Sequence, residues 1–389
     1  MKRVALWAAL GIFVATTGAP KPFPRTQQLE LGAVGGNLLG TAVALHADLL
    51  FAGAPGLVGS PTGTVWVFRR SLAGEWEQTE AIATPSSNNE IVKSFGRALL
   101  YAPPFLFVSA WNDRTGRIYV YEQKTNGFEL KTDFGTSATD DFGRNMCLMD
   151  KFLLVTTSEA VLAYQRKGGK WKRLRALPSA GSWELACTDE LLAVGAREKV
   201  TIFRRTGKRW RLEAELEPPS GASQFGQSVA TDGEHVFVGA PNATRGSEGR
   251  VYVFAKNTGG GSLSQRKNQW SLEETIRAKD ARRGDDFGHD VVVAGTYLVV
   301  VDSNADLPDI EGVGAGYVFE QRSDGRWKKR QKISPGNPSL PGEFGGVTGT
   351  FPMAVASFGG VLAIGDPFAG GVSPIGQPRL HGAVYIFHE

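Results

Sequence analysis

Residues 225–241 read FGQSVATDGEHVFVGAP. Phe225-Gly226 opens the stretch, apolar positions alternate after it, Asp232-Gly233 supplies a turn, and VFVGAP closes it. That is the pattern of a β-hairpin. Blurred copies of it recur along the chain. The 14-residue step from Phe225 to Gly239 also links Leu39 to Gly53, Phe95 to Ser109, Phe142 to Thr156, Gly181 to Gly195, Phe287 to Val301 and Phe351 to Gly365. Seven copies share one register.

Each copy continues in the same way. A variable loop leads to a third strand, usually opened by glycine, that ends at Phe68, Tyr121, Tyr164, Phe203, Phe254, Phe319 or Phe387. A short turn then leads to a fourth strand, opened by Trp76, Phe128, Trp171, Trp210, Trp270 or Trp327. Such units, labelled A to D by strand and spaced by roughly 40–65 residues, predict an all-β fold: a seven-bladed β-propeller of four-stranded antiparallel blades. A single twisted sheet cannot bury both faces, whereas seven stacked radially bury them against each other. The last copy stops after its third strand, at AVYIFHE, while RTQQLELGAVG near the start reads as a fourth. The ring is therefore expected to close with an N-terminal strand, which removes an exposed edge.

Composition agrees with this reading. The 389 residues are 42% hydrophobic, enough for a core, and the 49 glycines suit many turns. No long stretch of 3.6-residue periodicity follows the N-terminus, so almost no helix is expected. Met1-Lys2-Arg3, a 12-residue apolar run and the small residues TTGAP have the layout of a signal peptide over 1–19, with the propeller over 20–389. An uncleaved anchor is the alternative, because Pro20 follows the best cleavage point, Ala19. A secreted, extracellular protein is expected, periplasmic or at the cell surface if bacterial. Net charge of +4 is mild for this length and gives no sign of a nucleic-acid partner.

Phe-Gly followed at a fixed distance by Gly-Ala-Pro resembles the FG-GAP repeat of the seven-bladed propeller in integrin α-subunit heads. Leu39–Pro55 and Phe225–Pro241 keep the pattern best, and the resemblance covers the chain after the signal. It implies an extracellular binding or adhesion module; the thin catalytic constellations add the expectation of no catalysis, and a monomer is expected. The partner, a protein or glycan, would meet the face that carries the B–C and D–A loops. The longest insertions fall there, weighted to blades five to seven, and Trp111, Asn242, Arg245, Arg283 and Asp285 are the candidate binding residues. A lectin-like carbohydrate-binding propeller and a polysaccharide-acting hydrolase or lyase are the alternatives. An acid pair 5–10 Å apart at the axial channel would favour the enzyme.

Integrin-type repeats often hold calcium in the A–B hairpin through Asp-x-Asp-x-Asp-Gly-x-x-Asp. Here LHADLL, TDGEHV and AGTYLV carry too few carboxylates. The nearest substitute is a B–C loop, DSNADLPDIEG, with Asp302, Asn304, Asp306 and Asp309 as candidate Ca²⁺ ligands. A solvated acidic loop is the alternative, since Leu307 stands where such a loop needs glycine. No paired metal spacing joins the five histidines, and neither Gly-x-Ser-x-Gly nor a P-loop is present.

Basic runs at 171–177, 204–213 and 326–332 fall on D strands, where they protect an edge or else make weak contact with anionic surfaces. Arg283-Gly284-Asp285 matches the integrin-recognised tripeptide, a three-residue match that chance supplies. Asn242-Ala243-Thr244 is a glycosylation sequon in a eukaryotic secretory route. Cys147 and Cys187 lie in the inner strands of adjacent blades, close enough for a disulfide in an oxidising compartment, with two buried thiols as the alternative.

Overall fold

The computed structural model describes residues 24–31, 38–56, 63–85, 93–112, 115–136, 141–178, 182–196, 198–220, 222–241, 248–257, 270–305, 312, 314–333, 354–367, 369–372, 378–380 and 382–389. Residues 1–19, expected to be a signal peptide, lie outside them. Among the described residues there is no helix, and so none long and apolar enough to cross a membrane.

Seven four-stranded antiparallel sheets form a ring. Their inner strands are Ala42–His46, Leu99–Ala102, Met146–Met149, Ser182–Cys187, Ser228–Thr231, Phe287–Ala294 and Val355–Phe358, each touching the inner strand of the next blade around the full circle. Blade seven is assembled from both ends of the chain. Arg25–Glu30 pairs antiparallel with Ala383–His388, with Leu29 opposite Val384 and Gln28 opposite Tyr385. The ring is thus closed by the N-terminal strand, as the sequence predicts.

Two details depart from the repeat. The outer strand of blade three is broken, with Lys170–Arg173 and Leu177–Pro178 each pairing with Ala160–Lys167. The B–C insertion of blade seven carries its own ribbon, Gly370–Val372 against Pro378–Leu380.

The core is divided among seven clusters, one in each seam between blades. Phe95, Phe142, Phe225 and Phe287 are fully buried in these seams, packed on the third-strand aromatics Tyr119, Tyr164, Tyr252 and Tyr317. The repeat has a second, backbone purpose. The Gly226 N–H donates to the Gly239 carbonyl at 3.1 Å, which pins the two ends of the 14-residue step together. Gly239 in turn lies against Gly288 of the next blade, so close that a Cβ there would sit 2.1 Å from the Gly288 carbonyl oxygen. Gly53 meets Gly96 and Gly365 meets Gly40 in the same manner. The Gly-Ala-Pro of one blade is therefore one half of a joint, and the Phe-Gly of the next is the other.

Candidate functional site

Each inner strand begins at the face that bears the D–A and B–C loops and runs down the axis. Its first residues therefore ring one mouth of the channel. The residue after Phe-Gly is Arg97 in blade two, Arg144 in blade three, Gln227 in blade five and His289 in blade six, with Thr41 at the matching place in blade one. One position further stand Asn145, Glu184 and Asp290. All line a single cavity of about 550 Å³, whose lower wall is apolar, with Val229, Val291 and Val355.

Arg144 is exposed there, Arg97, Glu184, His289 and Asp290 are half-buried, and burial shifts the chemistry of these groups. Burial, with Asp290 as a like-charged neighbour, pushes the Glu184 carboxyl up to about 8, although Arg144 pulls against the rise. Burial lifts Asp290 to about 7, even though its carboxylate accepts the N–H groups of Val291 and Val355. His289 falls to about 4, through burial and then the Arg144 charge, and its buried Nδ1 has no hydrogen-bond partner. Arg97 is lowered by burial and by Arg144. The Asn145 amide donates to Glu184. Burial thus favours the neutral forms of Glu184, Asp290 and His289.

Sequence reasoning missed this constellation. The signal lay in the repeat itself: aligned on Phe-Gly, the next two positions are polar in most blades while the strand below them is apolar.

The loop face is built differently. In blade six the Asp302 Oδ1 accepts the N–H of Asp286 at 2.9 Å and of Asn304 at 3.2 Å, and the Asn304 amide donates to the Gly284 carbonyl at 2.8 Å. The Ser303 hydroxyl donates to Asp286 at 3.3 Å. Asp302 thus stitches the D–A loop to the B–C loop of its own blade. It is fully buried, and burial together with Asp285 and Asp286 raises it to about 8.

Of the candidate Ca²⁺ ligands, Asp302 takes part in this stitch through Oδ1 and Asn304 through its backbone N–H and side-chain amide, while Asp306 and Asp309 lie outside the described residues. Among the described residues no group of three or more His, Cys, Asp or Glu is arranged to hold a metal ion.

The candidate binding residues fare unevenly. Arg283 is exposed. Asp285 requires correction as a surface residue: it is buried, because its Oδ2 accepts the Arg282 N–H at 2.7 Å and turns the side chain into the loop. The Arg-Gly-Asp tripeptide is therefore not presented as a unit. Trp111 lies in Phe105–Asn112 with its backbone opposite Gly116, its side chain outside the described set. Asn242, with its sequon, and Arg245 also lie outside the described residues.

Cys147 and Cys187 are joined as a disulfide between the inner strands of blades three and four, with Cα atoms 6.3 Å apart.

Part of the basic charge on the D strands is compensated. Lys329 and Lys332 reach Asp280 at 2.9 and 3.0 Å, Arg330 pairs with Glu320, and Arg204 with Glu213.

Comparison with known proteins agrees with the fold. Residues 210–254 and 270–319 match the family model of the FG-GAP repeat. The chain is a seven-bladed propeller with FG-GAP repeats, a class typical of extracellular proteins. No curated protein matches it in sequence. Among solved structures it is similar to a chain of the mitotic checkpoint complex, at 11% identity and TM-score 0.57 over 100% of this chain and 99% of that one. It is similar also to the Cps50 (Swd1) propeller domain of Myceliophteria thermophila, at 11% and 0.57 over 95% and 100%. A protein assigned as a 6-phosphogluconolactonase from Bacteroides uniformis aligns at 13% and 0.55 over 76% and 85%. At these identities the likeness is one of fold.

Proposed function

We propose that this chain is a secreted or cell-surface binding module that grips an extracellular protein through the face bearing its B–C and D–A loops, without catalysis of its own. The observation that supports this most is the stitched platform of blade six. Asp302 holds two loops in one arrangement, so that exposed groups such as Arg283 are presented by a rigid scaffold. The paired ribbon Gly370–Val372 and Pro378–Leu380 adds a second shaped insertion to blade seven.

Capture of surface proteins by the immobilised chain tests the reading. Replacing 370–380 by a Gly-Ser linker together with Arg283→Ala should abolish capture at unchanged melting temperature. Undiminished capture by that variant would refute it.

A second reading, an enzyme acting on polysaccharide, draws support from Glu184 and Asp290, which line the same cavity, since a carboxyl protonated near neutrality can serve as a general acid. Release of reducing ends from a panel of acidic and neutral polysaccharides, lost in Glu184→Gln, would favour it over the binding reading.

A further inference from the structure

At the end of the molecule opposite the B–C and D–A loops, the A–B turns of blades six and seven border a separate cavity of about 350 Å³. Its floor is bare of side chains where Gly295 and Gly359 hold the turns at positive φ, and nothing lies within 4 Å of an added Cβ at either. One wall is Phe358, the last residue of Val355–Phe358, a large apolar ring left 43% exposed. It rests on the ring of His46, its counterpart in the repeat of blade one, with centroids 4.2 Å apart. That contact holds the ring in place while Phe358 still lines the cavity. The other wall is polar. The Tyr297 hydroxyl donates to Glu389 Oε1 at 3.1 Å, and the Glu389 N–H donates to the Gly360 carbonyl at 2.8 Å, which fixes both groups at the rim. Thr296 and Ser357 add two more hydroxyls. Among the described residues that line the cavity none is Lys, Arg or His, and Glu389 alone is charged.

We propose that this cavity binds a neutral pyranose sugar, its apolar face stacked on Phe358 and its hydroxyls donating to Glu389 and pairing with Tyr297, Thr296 and Ser357. A pyranose presents C–H groups on one face and hydroxyls around its edge, which is the complement of a held aromatic ring beside acceptors and hydroxyls. A carboxylate accepts from hydroxyls in charge-assisted hydrogen bonds, and it repels an acidic sugar. The volume suits one or two rings and excludes a folded partner. The site lies at the far end of the channel from the loop face and does not depend on the loop-face reading.

Calorimetry and saturation-transfer NMR on the full chain, with the methyl glycosides of D-glucose, D-galactose and D-mannose, with D-glucuronate and with tetramethylammonium, test the assignment. At least one neutral glycoside should bind saturably, with transfer strongest at its ring C–H protons. Glucuronate should bind roughly 10-fold more weakly. Tetramethylammonium should also bind more weakly, because it satisfies none of the hydroxyls around the cavity. Phe358→Ala should weaken glycoside binding by roughly 10-fold at unchanged melting temperature, since the ring is exposed. Glu389→Gln should narrow the gap between glycoside and glucuronate. Leu72→Ala, which removes an exposed apolar group away from the cavity, should leave binding as it was. No saturable binding by any of the three glycosides, equal or tighter binding of glucuronate or tetramethylammonium, or undiminished binding in folded Phe358→Ala would each overturn the proposal. If Phe358→Ala does not fold, Phe358→Leu, which keeps the apolar bulk without the ring, takes its place, and the comparison of ligands on the unaltered chain stands by itself.

Discussion

At Gly239 the backbones of blades five and six approach until a methyl group could not be accommodated, since its carbon would lie 2.1 Å from a backbone oxygen. Gly239→Ala should accordingly cost about 3 kcal/mol, read by denaturant unfolding. Gly168 offers a control. Its φ is positive, at 59°, but nothing lies within 4 Å of an added Cβ, so Gly168→Ala should cost only about 1 kcal/mol. Titration at the channel gives a second prediction. Glu184 is raised from its ordinary value of 4.5 to about 8 by burial and by Asp290, so the folded chain holds its proton more tightly than the unfolded chain does. Stability from this group is full below about pH 4.5 and falls as pH climbs toward 8. Glu184→Gln, which keeps the shape without the charge, should stabilise the chain by about 1–2 kcal/mol at pH 8.5 and change little at pH 5, measured by thermal melts at both.

Among the elements, the closing strand Arg25–Glu30 bears the most consequence for its length, because it supplies the fourth strand of blade seven from the far end of the chain. Leu29 is buried there against Val384 and Ile386, so Leu29→Ala should cost about 2–4 kcal/mol. Omitting 24–31 should do more, exposing Ala383–His388 as an open edge and producing dimers or aggregates visible by size-exclusion chromatography. The disulfide acts between elements. It joins residues 40 apart in sequence, and reducing it should remove roughly 3–4 kcal/mol, seen as a lower melting temperature with reductant that the Cys147→Ser, Cys187→Ser chain no longer shows.

For the whole molecule, closure depends on two ends that meet: the His388 N–H donates to the Pro24 carbonyl at 3.3 Å. A permuted chain that begins at blade two, with 389 joined to 24 by a short linker, keeps all seven blades but closes by packing alone. It should still melt in one transition, at a lower temperature than the parent; an equal temperature would mean that the strand adds nothing to closure. The blades were legible from a single sequence because each needs the same joint. Phe225, Gly226 and Gly239 recur in register since each seam buries an aromatic ring and brings two backbones together, and that is a local demand on sequence. The turning inward of Asp285 was not legible, because nothing in Arg-Gly-Asp shows that the Arg282 N–H lies waiting for its carboxylate. Least legible was the channel. Arg97, Arg144, Glu184 and Asp290 are spread over nearly two hundred residues, occupy positions the repeat leaves free, and become neighbours through closure of the ring. Sequence alone thus determined the number of blades, their strand order and the way the circle is sealed, since these follow from periodic burial and from the chemistry of glycine. Which side chains share the axis, and what protons they carry there, was decided by the tertiary structure, because those properties arise from distance and lost water between residues that the chain order keeps apart.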